Sequence, residues 1–439
     1  MAPHHHASHR RTFSATKIRS LFWFLLVAVL TTPSHNQVEA APFSMGRRLY
    51  DLPKTSTSTL PLSFGRTDIP IPSDPPAQGR PVVWSQTIDI KALQPERKNI
   101  IWTRLRFSTT GTKLRIPTEP RTTAGWGANL PGDIVKITNQ ADQSVQYFNA
   151  VTLKQWSFNS AFFNGGKLTL ELLADPTLPA DQTPSVVVTS VKINSDDSDN
   201  TDTISLPPPN SQCNANDERR PSSDTRWTIN DPSNSGCQLT AGHCFDDADL
   251  TEQVLQFNVP TNIVLRSKHG DRFPVARHPP ADQQFAIDVD SDWGYFGVHP
   301  NPNTGKRPRE QFANQAFDLA PVDPATGLLK DGVVKVGDQA TIRGFGAVYD
   351  EARMELSQVQ QTHTGTVYKL ADAYHVDHRA DTEGGNSGSP IILANGQALG
   401  IHTNGGCRTT SSESANWGST VAMRGLQTAL AAPKGVCKV

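Results

Sequence analysis

The chain has 439 residues, with Lys+Arg 41 against Asp+Glu 42, a hydrophobic fraction of 36% and no long block of either charge. Such a length buries more than one core, and the balanced charge excludes the basic footprint of a nucleic-acid or membrane-surface binder. With 31 Gly and 33 Pro, an all-β chain of many short strands and turns is expected rather than long helices.

In chain order, Arg10, Arg11, Lys17 and Arg19 precede the apolar run Leu21–Leu30, and a polar stretch follows to Val38-Glu39-Ala40. Basic, apolar and small-residue segments in this order make residues 1–40 a secretory signal peptide. The run is about half the ~20 residues a spanning helix needs, so a secreted, extracellular protein without a membrane anchor is expected. Residues 41–80 are rich in Pro, Ser and Thr and lack a hydrophobic period, the pattern of a flexible leader. Between 81 and 195, the runs Ile100–Phe107, Asp133–Thr138, Ser144–Phe148, Lys167–Leu173 and Val186–Ile193 are short and β-branched or alternating. They predict a separate β-sandwich-like domain. Residues 196–210, which include Pro207–Pro209, read as a linker.

A second unit, 211–439, carries strand-like runs at Val333–Val336, Ala340–Gly346 and Pro390–Leu393, with Val421–Ala431 helical. All five cysteines, Cys213, Cys237, Cys244, Cys407 and Cys437, lie here. An oxidising destination predicts disulfides; their pairing stays open, and the odd count leaves at least one cysteine without a partner in the chain. The spacing fits neither a zinc nor a redox site. His375-Val376-Asp377-His378 has no third ligand at usable spacing and reads as a surface loop. There is no phosphate-cradling loop or dinucleotide fingerprint, so neither cofactor nor metal is expected.

Two short motifs carry chemistry. Leu239–Cys244 reads LTAGHC, a strand end that turns at small residues and leaves His243 beside a cysteine; Gly384–Pro390 reads GGNSGSP, a serine between glycines. Peptide hydrolysis needs a hydroxyl nucleophile, a base to take its proton, and backbone N–H groups aimed at the developing oxyanion. Ser387 and His243 supply the first two, and the glycine-rich turn lets the N–H groups of Gly385 and Ser387 converge as the third.

These two motifs resemble the signatures of chymotrypsin-like (trypsin-like) serine peptidases. The similarity is greatest to the glutamyl endopeptidase group, through Asn386 before the serine, Ser389 after it and the segment Gly400-Ile401-His402-Thr403-Asn404-Gly405. The resemblance covers about 211–439 and implies a double β-barrel with the active site between the barrels. It also places the acidic partner of His243 between the two motifs. Asp292, entering the aromatic segment Trp293-Gly294-Tyr295-Phe296, is the leading candidate, with Asp288 and Asp290 as rivals. For the substrate side chain, the group's pattern falls on Thr382 and His402, implying cleavage after Glu or Asp. Asp381 stands where trypsin-like enzymes carry the acid that selects Lys or Arg, and Glu383 adds a second acid. Asn386 replaces the acid that pairs with a freshly cut N-terminal amine, so activation by that salt bridge is not expected. Only 23 residues separate Cys213 from Cys237, and Arg226–Gly236 is polar, so the first barrel is either trimmed or completed by another segment. The expected function is a monomeric, cofactor-free serine endopeptidase acting on proteins or peptides through an acyl-enzyme. The alternative is an inactive secreted binding protein on the same fold.

Overall fold

The computed structural model describes residues 55–71, 79–97, 99–118, 125–196, 211–213, 217–221, 228–230, 236–245, 253–257, 272–274, 285–286, 291–312, 316–348, 356, 359–408 and 411–438. The expected signal peptide, nearly all of the linker, and Asp288 and Asp290 lie outside the described residues.

The N-terminal strands are β1 (Thr55–Arg66), β2 (Val82–Asp89), β3 (Asn99–Phe107), β4 (Ile134–Asn139), β5 (Val145–Phe148), β6 (Phe163–Asn164), β7 (Lys167–Leu173) and β8 (Val186–Asp196). They form two four-stranded sheets, ordered β1-β8-β3-β6 and β2-β7-β4-β5. Alternation drives the packing. In β7 the inward residues Leu168, Leu170 and Leu172 are fully buried while their neighbours are partly exposed or exposed. They share one core with Leu105, Phe107, Val191 and Ile193 of the other sheet, a β-sandwich as expected. Strand β1 corrects the reading of 41–80 as leader. Its Leu60, Leu62 and Phe64 pack on this core, but the Ser and Thr run of residues 55–59 before them dilutes the hydrophobic period. Pro61 is tolerated because β1 is an edge strand, and its pairing with β8 shifts register between Pro61 and Phe64.

A buried ion pair ties the sandwich's long loops. The fully buried Asp133 accepts from Arg115 Nε at 2.8 Å and Nη2 at 2.8 Å, and from the backbone N–H groups of Arg115 (3.0 Å) and Asp175 (2.9 Å). Both carboxylate oxygens are therefore satisfied inside the protein.

In the second unit, β10 (Thr228–Ile229), β11 (Gln238–Thr240), β14 (Phe285–Ala286), β15 (Trp293–Phe296) and β16 (Ala316–Phe317) form a five-stranded sheet ordered β14-β15-β11-β10-β16. A hairpin of β12 (Val254–Gln256) and β13 (Arg272–Pro274) is separate from it. The remaining sheet contains β9 (Arg220–Pro221), β17 (Gln339–Gly344), β18 (Gln361–Leu370), β19 (His375–His378), β20 (Pro390–Leu393), β21 (Ala398–Asn404) and β22 (Asn416–Thr420). Its order, β17-β20-β21-β22-β19-β18, closes because β17 also pairs with β18, and β9 extends β18 outside the ring. Closure removes the free edges of this barrel. The fold class is the chymotrypsin-like one, with the first half the less regular of the two.

Val333–Val336 is not a strand. The four residues lie between Gly332 (φ +77) and Gly337 (φ +91), and the flanking turns outcompete a short run that leaves Val336 60% exposed. The helix Arg424–Ala431 falls within the predicted Val421–Ala431. The disulfides are Cys213–Cys407 and Cys237–Cys437, and Cys244 is the unpaired thiol. Among the described residues, no helix is long and apolar enough to cross a membrane.

Replacing Asp133 by Ala leaves the Arg115 guanidinium buried without its partner and is expected to destabilise the sandwich by ~3–5 kcal/mol. Urea unfolding of the variant against the parent checks this; equal midpoints would contradict it.

Candidate active site

Strand register brings the first two candidate residues together. β11 runs antiparallel to β15 with Thr240 opposite Gly294, so the chain just after β11 lies beside the chain just before β15. A 3-10 turn, Gly242–Phe245, follows β11 and holds His243, while Asp292 directly precedes β15. The Asp292 carboxylate accepts from the His243 backbone N–H at 2.8 Å and meets the ring at Nδ1 at 2.5 Å. It is 4% exposed, so little water competes for the ring. Ser419 of β22 donates its hydroxyl to the Asp292 carbonyl at 3.1 Å, bracing the residue from the second barrel. Gly242 is required by crowding: a Cβ there would lie 1.7 Å from the Ala286 carbonyl oxygen.

Ser387 arrives on the turn before β20. Gly388 has φ +88, and a Cβ there would lie 2.2 Å from Thr240 Oγ1, so the serine turn packs directly on the strand that leads to His243. The Ser387 carbonyl lies 3.9 Å from Cys244 Sγ, and its hydroxyl donates to the Thr403 carbonyl at 3.2 Å. Along this turn the N–H groups of Asn386, Gly388 and Ser389 donate to the carbonyls of Glu383 (3.0 Å), His402 (2.8 Å) and Asn386 (2.9 Å). Among the described residues, those of Gly385 and Ser387 donate to no protein acceptor, which is the pair singled out for an oxyanion.

Residues 232–401 match the family profile of the trypsin-like peptidase domain. These residues form a trypsin-like peptidase domain on a chymotrypsin-like fold. Solved structures similar to the chain include a Glu endopeptidase in complex with MPD, with 16% identity, 49% of this chain and 96% of the other covered, and a TM-score of 0.33. A thermostable serine protease from an extremophilic microorganism has 17% identity, 46% and 85% coverage and a TM-score of 0.31. An HtrA-type protease with a decapeptide has 15% identity, 45% and 49% coverage and a TM-score of 0.27. Likenesses this remote carry no argument about substrate or mechanism. No curated protein sequence matches the chain.

The peptidase's candidate specificity residues separate into two groups. His402, on β21, is 2% exposed, and its Nδ1 lies 3.1 Å from Nε2 of the fully buried His378. Burial, then the neighbouring His378 and His243, hold the His402 ring well below the usual histidine range, and burial pulls His378 down to about 3. Both rings are neutral near pH 7, joined by one hydrogen bond. Thr382 is fully buried, and among the described residues its Oγ1 has no hydrogen-bond partner. Asp381 faces elsewhere. It accepts from the N–H groups of Cys213 at 2.8 Å and Glu218 at 3.1 Å, with His363 Nδ1 3.6 Å away. Its carboxylate thus caps the segment that enters the domain.

His378 was passed over in the sequence, where His375-Val376-Asp377-His378 suggests a loop. The four residues are instead strand β19, and alternation turns the buried His378 inward while His375 faces the other way. A Ser387-like motif signal for His378 does not exist; period-two burial is the one clue. Cys244 sits beside the serine, yet burial pushes its thiol up to about 12, so it stays protonated and unreactive.

Glu383 is 3% exposed, and burial raises its carboxyl to about 7 despite Arg219 and Gln212 nearby. A raised folded value means that Glu383 contributes stability fully present below its unfolded value near 4.5 and lost as pH climbs through about 7. In Glu383→Gln that loss, roughly 3 kcal/mol by linkage, is expected to disappear. Melting temperatures of parent and variant from pH 4.5 to 8 check this; a constant difference between them across the range would contradict it.

Proposed function

We propose that the protein is a secreted serine endopeptidase that hydrolyses peptide bonds through an acyl-enzyme, with Ser387 as nucleophile, His243 as general base and Asp292 as its orienting partner. The observation that carries the reading is the 2.5 Å contact between His243 Nδ1 and Asp292 Oδ2, made by a carboxylate that also holds the His243 backbone. With the proton fixed on Nδ1, the lone pair on Nε2 is left to take the Ser387 hydroxyl proton. Ser387 Oγ then attacks the substrate carbonyl. The resulting oxyanion is received by the N–H groups of Gly385 and Ser387, each worth roughly 3–4 kcal/mol in such a hole. His243 passes the proton to the leaving amine, and a water repeats the sequence to release the acid.

Cleavage after Glu or Asp is the specificity we favour. If His402 Nδ1 accepts from His378, its Nε2–H is left to donate to a substrate carboxylate, and the Thr382 hydroxyl is a second donor without a competing partner. Of the two acids that would oppose a Glu side chain, Asp381 is turned to the backbone N–H groups of Cys213 and Glu218, and Glu383 keeps its proton below about 7. Secretion is supported by the N-terminal signal pattern and by the two disulfides, which persist in oxidising compartments. One chain supplies all three reacting residues, so a monomer suffices.

The full chain is expected to label at Ser387 with a fluorophosphonate and to cut a proteome-derived peptide library after Glu or Asp, while Ser387→Ala loses both labelling and cutting by at least a thousandfold. A parent protein that neither labels nor cuts would favour the binding-protein reading. Asp381→Asn is expected to lower kcat roughly tenfold for every substrate, because the entry segment that the carboxylate caps at Cys213 and Glu218 loosens behind the serine turn, with the residue preference unchanged. A loss confined to cuts after Lys or Arg would instead return Asp381 to the substrate pocket.

A further inference from the structure

Six residues after β15, the chain makes a tight turn whose polar groups are organised by Asn301, itself 1% exposed. Asn301 Oδ1 accepts from the N–H groups of Asn303 at 2.8 Å and Thr304 at 3.2 Å, its backbone N–H donates to the Lys306 carbonyl, and its carbonyl accepts from the Gly305 N–H. Held at the tip, the Asn303 side chain reaches the sandwich. Its Oδ1 accepts from the Tyr147 N–H at 3.1 Å, and its Nδ2 donates to the Val145 carbonyl at 2.6 Å. β5 is the last strand of its sheet. One amide that gives and takes a hydrogen bond on the free edge of β5 reproduces, with one residue, the pattern of a neighbouring strand.

Other contacts flank this one. The Gly127 N–H donates to the Pro302 carbonyl at 2.9 Å. Trp126 packs over Gly305 so closely that a Cβ there would lie 2.2 Å from its ring nitrogen. Val254, on the β12 hairpin, packs against the sandwich core. None of these contacts is covalent: every cysteine lies at or beyond Cys213, and both disulfides are internal to the second unit. On the far side of the turn, Arg307 Nη1 donates to the Val436 carbonyl at 2.9 Å, beside the Cys237–Cys437 bridge.

We infer that the N-terminal β-sandwich is a docked partner of the peptidase domain, anchored by Asn303 on the free edge of β5, so that a cut in the linker yields a two-chain complex rather than a released domain. The sandwich therefore remains attached to the half of the peptidase that carries His243 and Asp292, through the turn that follows β15. The docking itself does not depend on catalysis.

The test uses the full secreted chain with a recognition sequence for a site-specific protease inserted within 197–210. After the cut, size-exclusion chromatography over a dilution series reads the affinity of the two fragments. Co-elution at micromolar concentration is expected. Asn303→Asp removes the donor to Val145 and sets a carboxylate against its carbonyl, and is expected to weaken the complex at least tenfold. Trp126→Ala, at a side chain 37% exposed, tests the same contact from the sandwich side without disturbing either core and is expected to act in the same direction. Separation of the cut parent fragments at micromolar concentration, or affinities in both variants equal to the parent's, would overturn the proposal, whatever the peptidase assay reports.

Discussion

A buried carboxylate organises the candidate site. At 4% exposure the Asp292 carboxylate has lost most of its water, and the protein supplies the hydrogen bonds in its place. Its oxygens are met by the backbone and the ring of His243, and that geometry exists because β11 and β15 pair with Thr240 opposite Gly294. A register slip of one residue would turn every side chain of the pair to the opposite face. The glycines at 242 and 388 then admit the close approaches that pack β14 and the serine turn around the pair.

The second barrel supplies rigidity where the first half supplies the base. Its six strands close on themselves, and the serine turn is stitched to β21 in both directions, Gly388 N–H to the His402 carbonyl at 2.8 Å and His402 N–H to the Ser389 carbonyl at 2.8 Å. Entry of the chain into this barrel is part of the same construction. The Ser211 carbonyl accepts from the Thr382 N–H at 3.1 Å and from Asn416 Nδ2 at 2.9 Å, and Cys213 is bridged to Cys407 just beyond β21. The segment leading into the domain is thus tied to the wall behind the serine.

Charge is handled by local satisfaction rather than by long-range balance. Asp381 receives backbone N–H groups, Glu383 retains its proton to about 7, and His378 and His402 remain neutral and bonded to each other. The two buried histidines are thereby kept uncharged near pH 7. A buried polar network of this kind leaves His402 as a donor rather than as a fixed cation.

The amino-acid sequence by itself determined the class of fold and carried the motifs of the candidate site. LTAGHC and GGNSGSP are local signals, because closely packed turns need particular small residues at adjacent positions. Alternating leucines in Lys167–Leu173 likewise reported a half-buried strand, since the period of a strand is a property of its own backbone. The tertiary structure decided what depends on partners distant in the chain. β1 is a strand only because β8 accepts it, the Val333–Val336 run is not one because turns at both ends prevail, and Asp381 and His402, alike in the sequence as candidates for the substrate pocket, differ because one meets the N–H groups of residues 213 and 218 and the other meets His378. Hydrogen-bond partners more than a hundred residues away leave no periodic trace in the chain; they are settled when the sheets close.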